Sequence, residues 1–184
     1  SSNDMSFLSS LGAKVWSVNE RPGQIEHGIV PEGENLELCK KTLSKVHKLD
    51  NNFILGYVPD NDGDRGNFVF VNNRGNASIL DAQNVFALIA SIEMADQVIK
   101  KEKRPAIAVN GPTSQRVDEI ASIIGVDVFR SDIGESNVVA LAKKLRGEGY
   151  SVHVCGEGSN GGIIANPAKV RDPMNSIMSI AKLY

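Results

Sequence analysis

Aromatic residues make up only 5% of this 184-residue chain, with a single tryptophan. That scarcity excludes a Trp- or Tyr-rich recognition surface. Cysteine is equally sparse: Cys39 and Cys155 stand far apart with no C-x-x-C spacing, and the three histidines, His27, His47 and His153, form no ligand pair. A zinc site or a disulfide framework is therefore not expected. No apolar run approaches the ~20 residues needed to span a bilayer, and the chain does not open on a basic segment followed by an apolar one. The expectation is no membrane partner and a cytoplasmic setting. An excess of one charge is missing too, since the formal net charge is -2, which leaves no global pull toward nucleic acid. The longest basic cluster, Lys100, Lys101, Lys103 and Arg104, broken by Glu102, closes a predicted helix, where cations complement the helix dipole.

Hydrophobic residues at 41% and charged residues at 23% describe an ordinary globular chain, one long enough to bury roughly 70% of its unfolded surface. Phe7, Leu8, Leu11 and Gly12 read as the last turn of a helix and its glycine stop. Ala13 to Val18 is predicted as a strand and Asn19 to Glu34 as an irregular loop. Leu36, Cys39, Leu43 and Val46 recur at helical spacing, predicting a helix from Glu34 or Asn35 to Lys48. Phe53 to Val58 is a buried strand that Pro59 ends abruptly, and Phe68 to Val71 resumes before a turn at Asn72 to Gly75. Asp81 caps a helix reaching Lys101. Thereafter strands 106–109, 126–129 and 151–155 alternate with helices 114–124 and 135–146. That alternation predicts an α/β fold with mixed or mostly parallel sheets and helices on both faces. In such sheets ligands gather beyond the carboxyl ends of the strands, which directs attention to the loops opening at Pro59, Asn110, Arg130 and Gly156.

The first of these loops reads D-N-D-G-D-R over residues 60–65. Asp60, Asp62 and Asp64 recur at every second position, where an extended segment projects side chains to one side, and Gly63 lets the backbone curl so that their oxygens converge. Three converging carboxylates repel one another unless a cation lies among them, and Mg2+, hard and oxygen-loving, suits the set. A calcium loop of the EF-hand type would need Gly at its sixth place and Glu at its twelfth, where Arg65 and Val71 stand. Arg65 could otherwise be a surface partner for any of these carboxylates.

The last loop reads G-E-G-S-N-G-G-I-I over residues 156–164. It satisfies neither the phosphate-loop nor the dinucleotide pattern. Its Glu157 and Ser159 suit vicinal hydroxyls, because a carboxylate accepts and a hydroxyl both donates and accepts.

D-x-D-G-D-R after an apolar strand resembles the metal loop of the phosphohexomutases, the phosphoglucomutase and phosphomannomutase family, and the segment from Gly156 is similar to that family's sugar-specificity loop. R-S-D-I-G-E-S-N-V at 130–138 resembles its T-x-V-G-x-x-x-V loop around Gly134. Arg171 and Asp172 fit a family R-D pair, with helix capping an equal reading for Asp172. Some members carry a Lys where this chain has Asn110, so no general base is assigned there. The resemblance runs from about Leu11 to Asp172. It implies two α/β units: residues 1–74 as part of a second domain carrying the metal loop, and 75–184 as a third domain carrying the sugar loop. It also implies Asp60, Asp62 and Asp64 as Mg2+ ligands, Arg65 as a catalytic contact to phosphate, and Glu157, Ser159 and Gly134 as substrate-binding residues. The partners implied are a hexose phosphate, a hexose bisphosphate, and the first and fourth domains of the same protein. A phosphoserine loop of the T-A-S-H-N-P type and a phosphate-gripping R-x-S-G-T-E-P segment are absent, so the expectation is a chain inactive alone. A noncatalytic phosphosugar sensor and a metal-dependent sugar phosphatase are the rival readings.

Overall fold

The structure is a computed structural model that describes residues 2–19, 21, 23, 28 and 30–183. The chain divides into two compact units: residues 1–58 with 68–79, and residues 59–67 with 80–184.

In the first unit, α1 (Ser2–Ser10) ends as expected, with Gly12 at φ +90° just beyond it. The predicted strand at Ala13 to Val18 does not form. A strand exists only through pairing with a neighbour, and no described strand pairs with this stretch. Trp16 instead sets its ring edge-on to Phe53 at 6.4 Å. The expected loop 19–34 lies partly outside the described residues. A short 3-10 turn, Gly33–Leu36, precedes α2 (Glu37–Leu49), so the regular helix starts later than the periodicity suggested. β1 (Leu55–Pro59), β2 (Gly66–Val71) and β3 (Ala77–Ile79) form a three-stranded sheet in that order. β3 was missed because it is three residues long beside a turn; its antiparallel pairing with β2, Val69 opposite Ile79, defines it. The core sets Leu36, Leu43 and Val46 against Val58 and Val69, all nearly inaccessible to solvent.

The second unit holds α3 (Ala82–Ile99), β4 (Pro105–Asn110), α4 (Arg116–Ile124), β5 (Asp127–Ser131), α5 (Glu135–Gly147), β6 (Ser151–Glu157), β7 (Gly162–Ala165) and α6 (Pro173–Ala181). Asp81 caps α3 by accepting from the Asn84 amide, as its position predicted. Asp172 likewise caps α6, accepting from the Met174 amide, with Pro173 at the first helical position. The sheet order is β5-β4-β6-β7, parallel except for β7, which pairs antiparallel with β6. β4 is central and buried almost throughout. Its alternate residues Ala106 and Ala108 join Val138, Ala142 and Leu145 of α5 in one core cluster. Ile107 and Val109 point to the opposite face, and α3 packs against β4 and β6. β7 was expected as loop, because Gly161 and Gly162 at its start mask a strand that only pairing with β6 reveals.

Three parallel strands therefore end together, at Asn110, Ser131 and Glu157. No described helix is long and apolar enough to cross a membrane.

Candidate active site

The acidic loop turns sharply between β1 and β2. The Asp60 amide donates to the Arg65 carbonyl at 3.0 Å and the Gly63 amide to the Asp60 carbonyl at 3.3 Å, while Gly63 adopts φ +70°, a conformation open to glycine at little cost. Convergence thus comes from this curl, and the extended alternation expected of the segment is not what gathers the carboxylates. Each of Asp60, Asp62 and Asp64 offers an oxygen within 4.8 Å of the other two. Asp60 is buried, Asp64 half-buried and Asp62 exposed.

Arg65 grips Asp60 twice, its amide donating to Oδ1 at 3.2 Å and its Nε to Oδ2 at 2.8 Å. Burial works against the charge on Asp60, but these two bonds outweigh it and hold the carboxyl below its usual range. Asp64 goes the other way. Burial lifts it, the neighbouring charges of Asp60 and Asp62 add to the lift, and Arg171 opposes without cancelling it. Asp64 Oδ1 is buried with no hydrogen-bond partner. An orphaned carboxylate oxygen beside two more carboxylates is a costly arrangement that a cation relieves. The donor set, all oxygen, fits a hard divalent ion such as Mg2+.

At the carboxyl edge of the parallel sheet, Glu157 is buried at 7% exposure and both oxygens of its carboxylate are engaged. Oε1 accepts from Asn110 Nδ2 at 2.9 Å and from the Gly134 amide at 3.2 Å. Oε2 accepts from Asn160 Nδ2 at 3.2 Å and pairs with Arg171 Nη1 at 3.6 Å. One side chain thereby ties the loops after β4, β5 and β6 together. Gly134 presents its amide from φ +122°, accessible at low cost only without a Cβ. Thr113 locks the arrangement: its hydroxyl donates to Asn110 Oδ1 at 2.7 Å and accepts from the Gly158 amide at 2.9 Å. Ser159, in the short 3-10 turn after β6, is exposed.

Arg130, which the sequence marked only as the start of a loop, adds a clamp. Its Nη1 donates to the carbonyls of Asn110, Gly111 and Thr113, at 3.2, 2.9 and 2.9 Å, and its Nη2 pairs with Asp118. Asn110, the position without an assigned base, serves as a hydrogen-bonding strut to Glu157. No motif marks these partners; only the parallel register that aligns the strand ends brings them together.

The acidic loop and the Glu157 loop meet at Arg171. Its guanidinium pairs with Asp64, with Glu135 at 3.3 Å and with Glu157 at 3.6 Å. The structure thus brings Asp60, Asp62, Asp64, Arg65, Gly134 and Glu157 into one unit, with Ser159 at its exposed rim. Four carboxylates there, Asp60, Asp64, Glu135 and Glu157, pair with the guanidinium groups of Arg65 and Arg171, and Asp62 stands beside them, so negative charge remains in excess.

Residues 81–184 match the family model described as phosphoglucomutase/phosphomannomutase, alpha/beta/alpha domain III. The chain therefore belongs to the phosphoglucomutase/phosphomannomutase family. It is similar, at 30% identity over 158 residues, to a phosphoglucomutase/phosphomannomutase of Thermococcus kodakarensis, covering 86% of this chain and 31% of that protein. It is 31% identical over 138 residues to a protein of Methanopyrus kandleri assigned as a phosphoglucosamine mutase, covering 74% of this chain and 28% of the relative. The chain thus spans about a third of the length of the curated relatives it matches. Among solved structures, one from Thermus thermophilus, assigned as a phosphomannomutase, shares the fold at a TM-score of 0.67. That match has 17% identity and covers 96% of this chain and 37% of that one.

Proposed function

We propose that this chain supplies the metal-holding and sugar-recognising part of a phosphohexomutase that interconverts hexose 1-phosphate and hexose 6-phosphate through a phosphoserine and a hexose bisphosphate. Residues 1–74 would belong to the second domain and 75–184 form the third. The observation that carries the reading is the junction at Arg171, which joins an acidic loop short of positive charge to a loop rich in hydrogen-bonding groups.

Asp60, Asp62 and Asp64 would hold Mg2+, which when bound offsets negative charge on the phosphoryl group in transfer. Arg65, fixed on Asp60 through its amide and Nε, would steady a phosphate oxygen. Exposed Ser159 offers a hydroxyl to the sugar ring. Glu157 would meet ring hydroxyls at the cost of exchanging one of its internal donors for them. Gly134 would contribute the backbone of the loop that approaches the sugar phosphate. The phosphoserine would come from the first domain and the grip on the distal phosphate from the fourth, so the isolated chain should bind without turning over.

Asp62 is exposed, so Asp62→Asn should weaken Mg2+ binding markedly, read by calorimetry, while leaving the thermal midpoint in place. Unchanged affinity would mark the loop as an inert turn, and robust isomerisation of glucose 1-phosphate by the purified chain would overturn the claim that further domains are required.

A further inference from the structure

We propose that Arg171 is the positioning residue that turns Asp64 toward the bound ion and links that ion's seat to the sugar loop; this rests on the metal-site reading above. Asp64 has two oxygens in different circumstances. Oδ2 accepts from Arg171 Nη2. Oδ1 is buried without a hydrogen-bond partner, and it lies 3.6 Å from Arg65 Nε, the same nitrogen that donates to Asp60 Oδ2 at 2.8 Å. Oδ1 thus shares Arg65 Nε with the Asp60 carboxylate, while Arg171 holds Oδ2. A carboxylate pinned by one oxygen keeps its rotamer and leaves the other, which here lacks a hydrogen-bond partner, for the ion, the usual arrangement of a ligand braced from outside the coordination sphere.

Arg171 is itself held in place. Its amide donates to Glu135 Oε1 at 3.1 Å, its Nε lies 3.3 Å from Glu135 Oε2 as an ion pair without hydrogen-bond geometry, and Glu135 opens α5 immediately after Gly134. The remaining nitrogen, Nη1, reaches Glu157. The planar fork of an arginine can serve three carboxylates lying in three directions, whereas the single nitrogen of a lysine cannot. Two neighbouring features offer no rival site. The second acidic cluster, Glu93, Asp96 and His153, already holds the ammonium of Lys182. The thiol of Cys155 is buried.

The test is Mn2+ binding to the 184-residue chain, with free Mn2+ counted by electron paramagnetic resonance and folding checked by circular dichroism. Arg171→Met should raise the Mn2+ Kd roughly 10-fold. Arg171→Lys should recover part of that loss. Glu135→Gln, which loosens Arg171 while touching neither Asp64 nor Glu157, should raise the Kd by a smaller factor and keeps the test open if Arg171→Met does not fold. Asp64→Asn is the control for the ion site: if it weakens Mn2+ binding while the Arg171 and Glu135 variants bind as tightly as the parent or more so, the positioning role is overturned and the ion site survives. If Asp64→Asn binds Mn2+ unchanged, the ion site fails and this proposal fails with it.

Discussion

Replacing Glu157 by glutamine tests the claim that one buried carboxylate knits three loops together. Its Oε1 faces two donors, Asn110 Nδ2 and the Gly134 amide, and its Oε2 faces Asn160 Nδ2 and Arg171. A glutamine has one accepting end, so whichever way the amide turns, N–H groups confront each other at the other end. The neighbours cannot flip to accommodate it: Asn110 Oδ1 is committed to Thr113, and Asn160 Oδ1 accepts from the Gly162 amide at 2.8 Å. Leaving buried donors unmet while a hydrogen bond to a charged group is lost costs about 2 kcal/mol. For the second unit, residues 59–67 and 80–184, that corresponds to a fall in Tm of about 6–10 °C. The unfolding of the second unit, followed by far-ultraviolet circular dichroism, should shift accordingly. Trp16 lies in the first unit, so its fluorescence gives a transition that serves as an internal reference. Hydrogen exchange should quicken at the Gly134 and Gly158 amides, whereas Ser159→Ala, at an exposed position, should do neither. Unaltered melting together with unaltered protection of those two amides would refute the cross-link.

Other expectations follow from the core and the thiols. Leu145→Ala, in the cluster that seats α5 on β4 and β6, should cost about 2–4 kcal/mol in urea unfolding, whereas Ile123→Ala, 84% exposed, should stay within about 0.5 kcal/mol. Burial pushes the thiols of Cys39 and Cys155 up to about 11 from 9.0. Only the thiolate reacts, so at pH 8 the native chain should modify with a disulfide reagent on the order of 100-fold more slowly than the unfolded chain. Because the folded values are raised, the thiols' contribution to stability is intact below pH 9 and is lost as pH climbs toward 11, where the unfolded chain sheds protons that the folded chain keeps. An alkaline series of unfolding curves checks the sign.

The sequence by itself determined the elements whose signals are local. The helical period of α3 with Asp81 at its start, the alternation of short apolar strands with helices, and D-N-D-G-D-R closing an apolar strand all required only neighbours along the chain, since capping, periodicity and turn chemistry act over a few residues; that β1 buries only Val58 was not legible there. Where a strand needs a distant partner, local reading failed in both directions. Ala13 to Val18 had the composition of a strand and found no partner among the described residues, while Gly162–Ala165 had the composition of a loop and found β6. The same reason separates the named site residues from their supports. The aspartates and Glu157 announce themselves by spacing, but Thr113, Arg130, Glu135 and Arg171 gain their roles from contacts across 17 to 107 residues. Only the parallel register of β4, β5 and β6, which ends three strands at one edge, and the curl that turns Asp64 toward Arg171 bring those side chains within reach. Hydrogen bonds and close ion pairs act over a few ångströms, so the tertiary structure alone decided which carboxylates share the Arg171 guanidinium and which Asp64 oxygen is left without a hydrogen-bond partner.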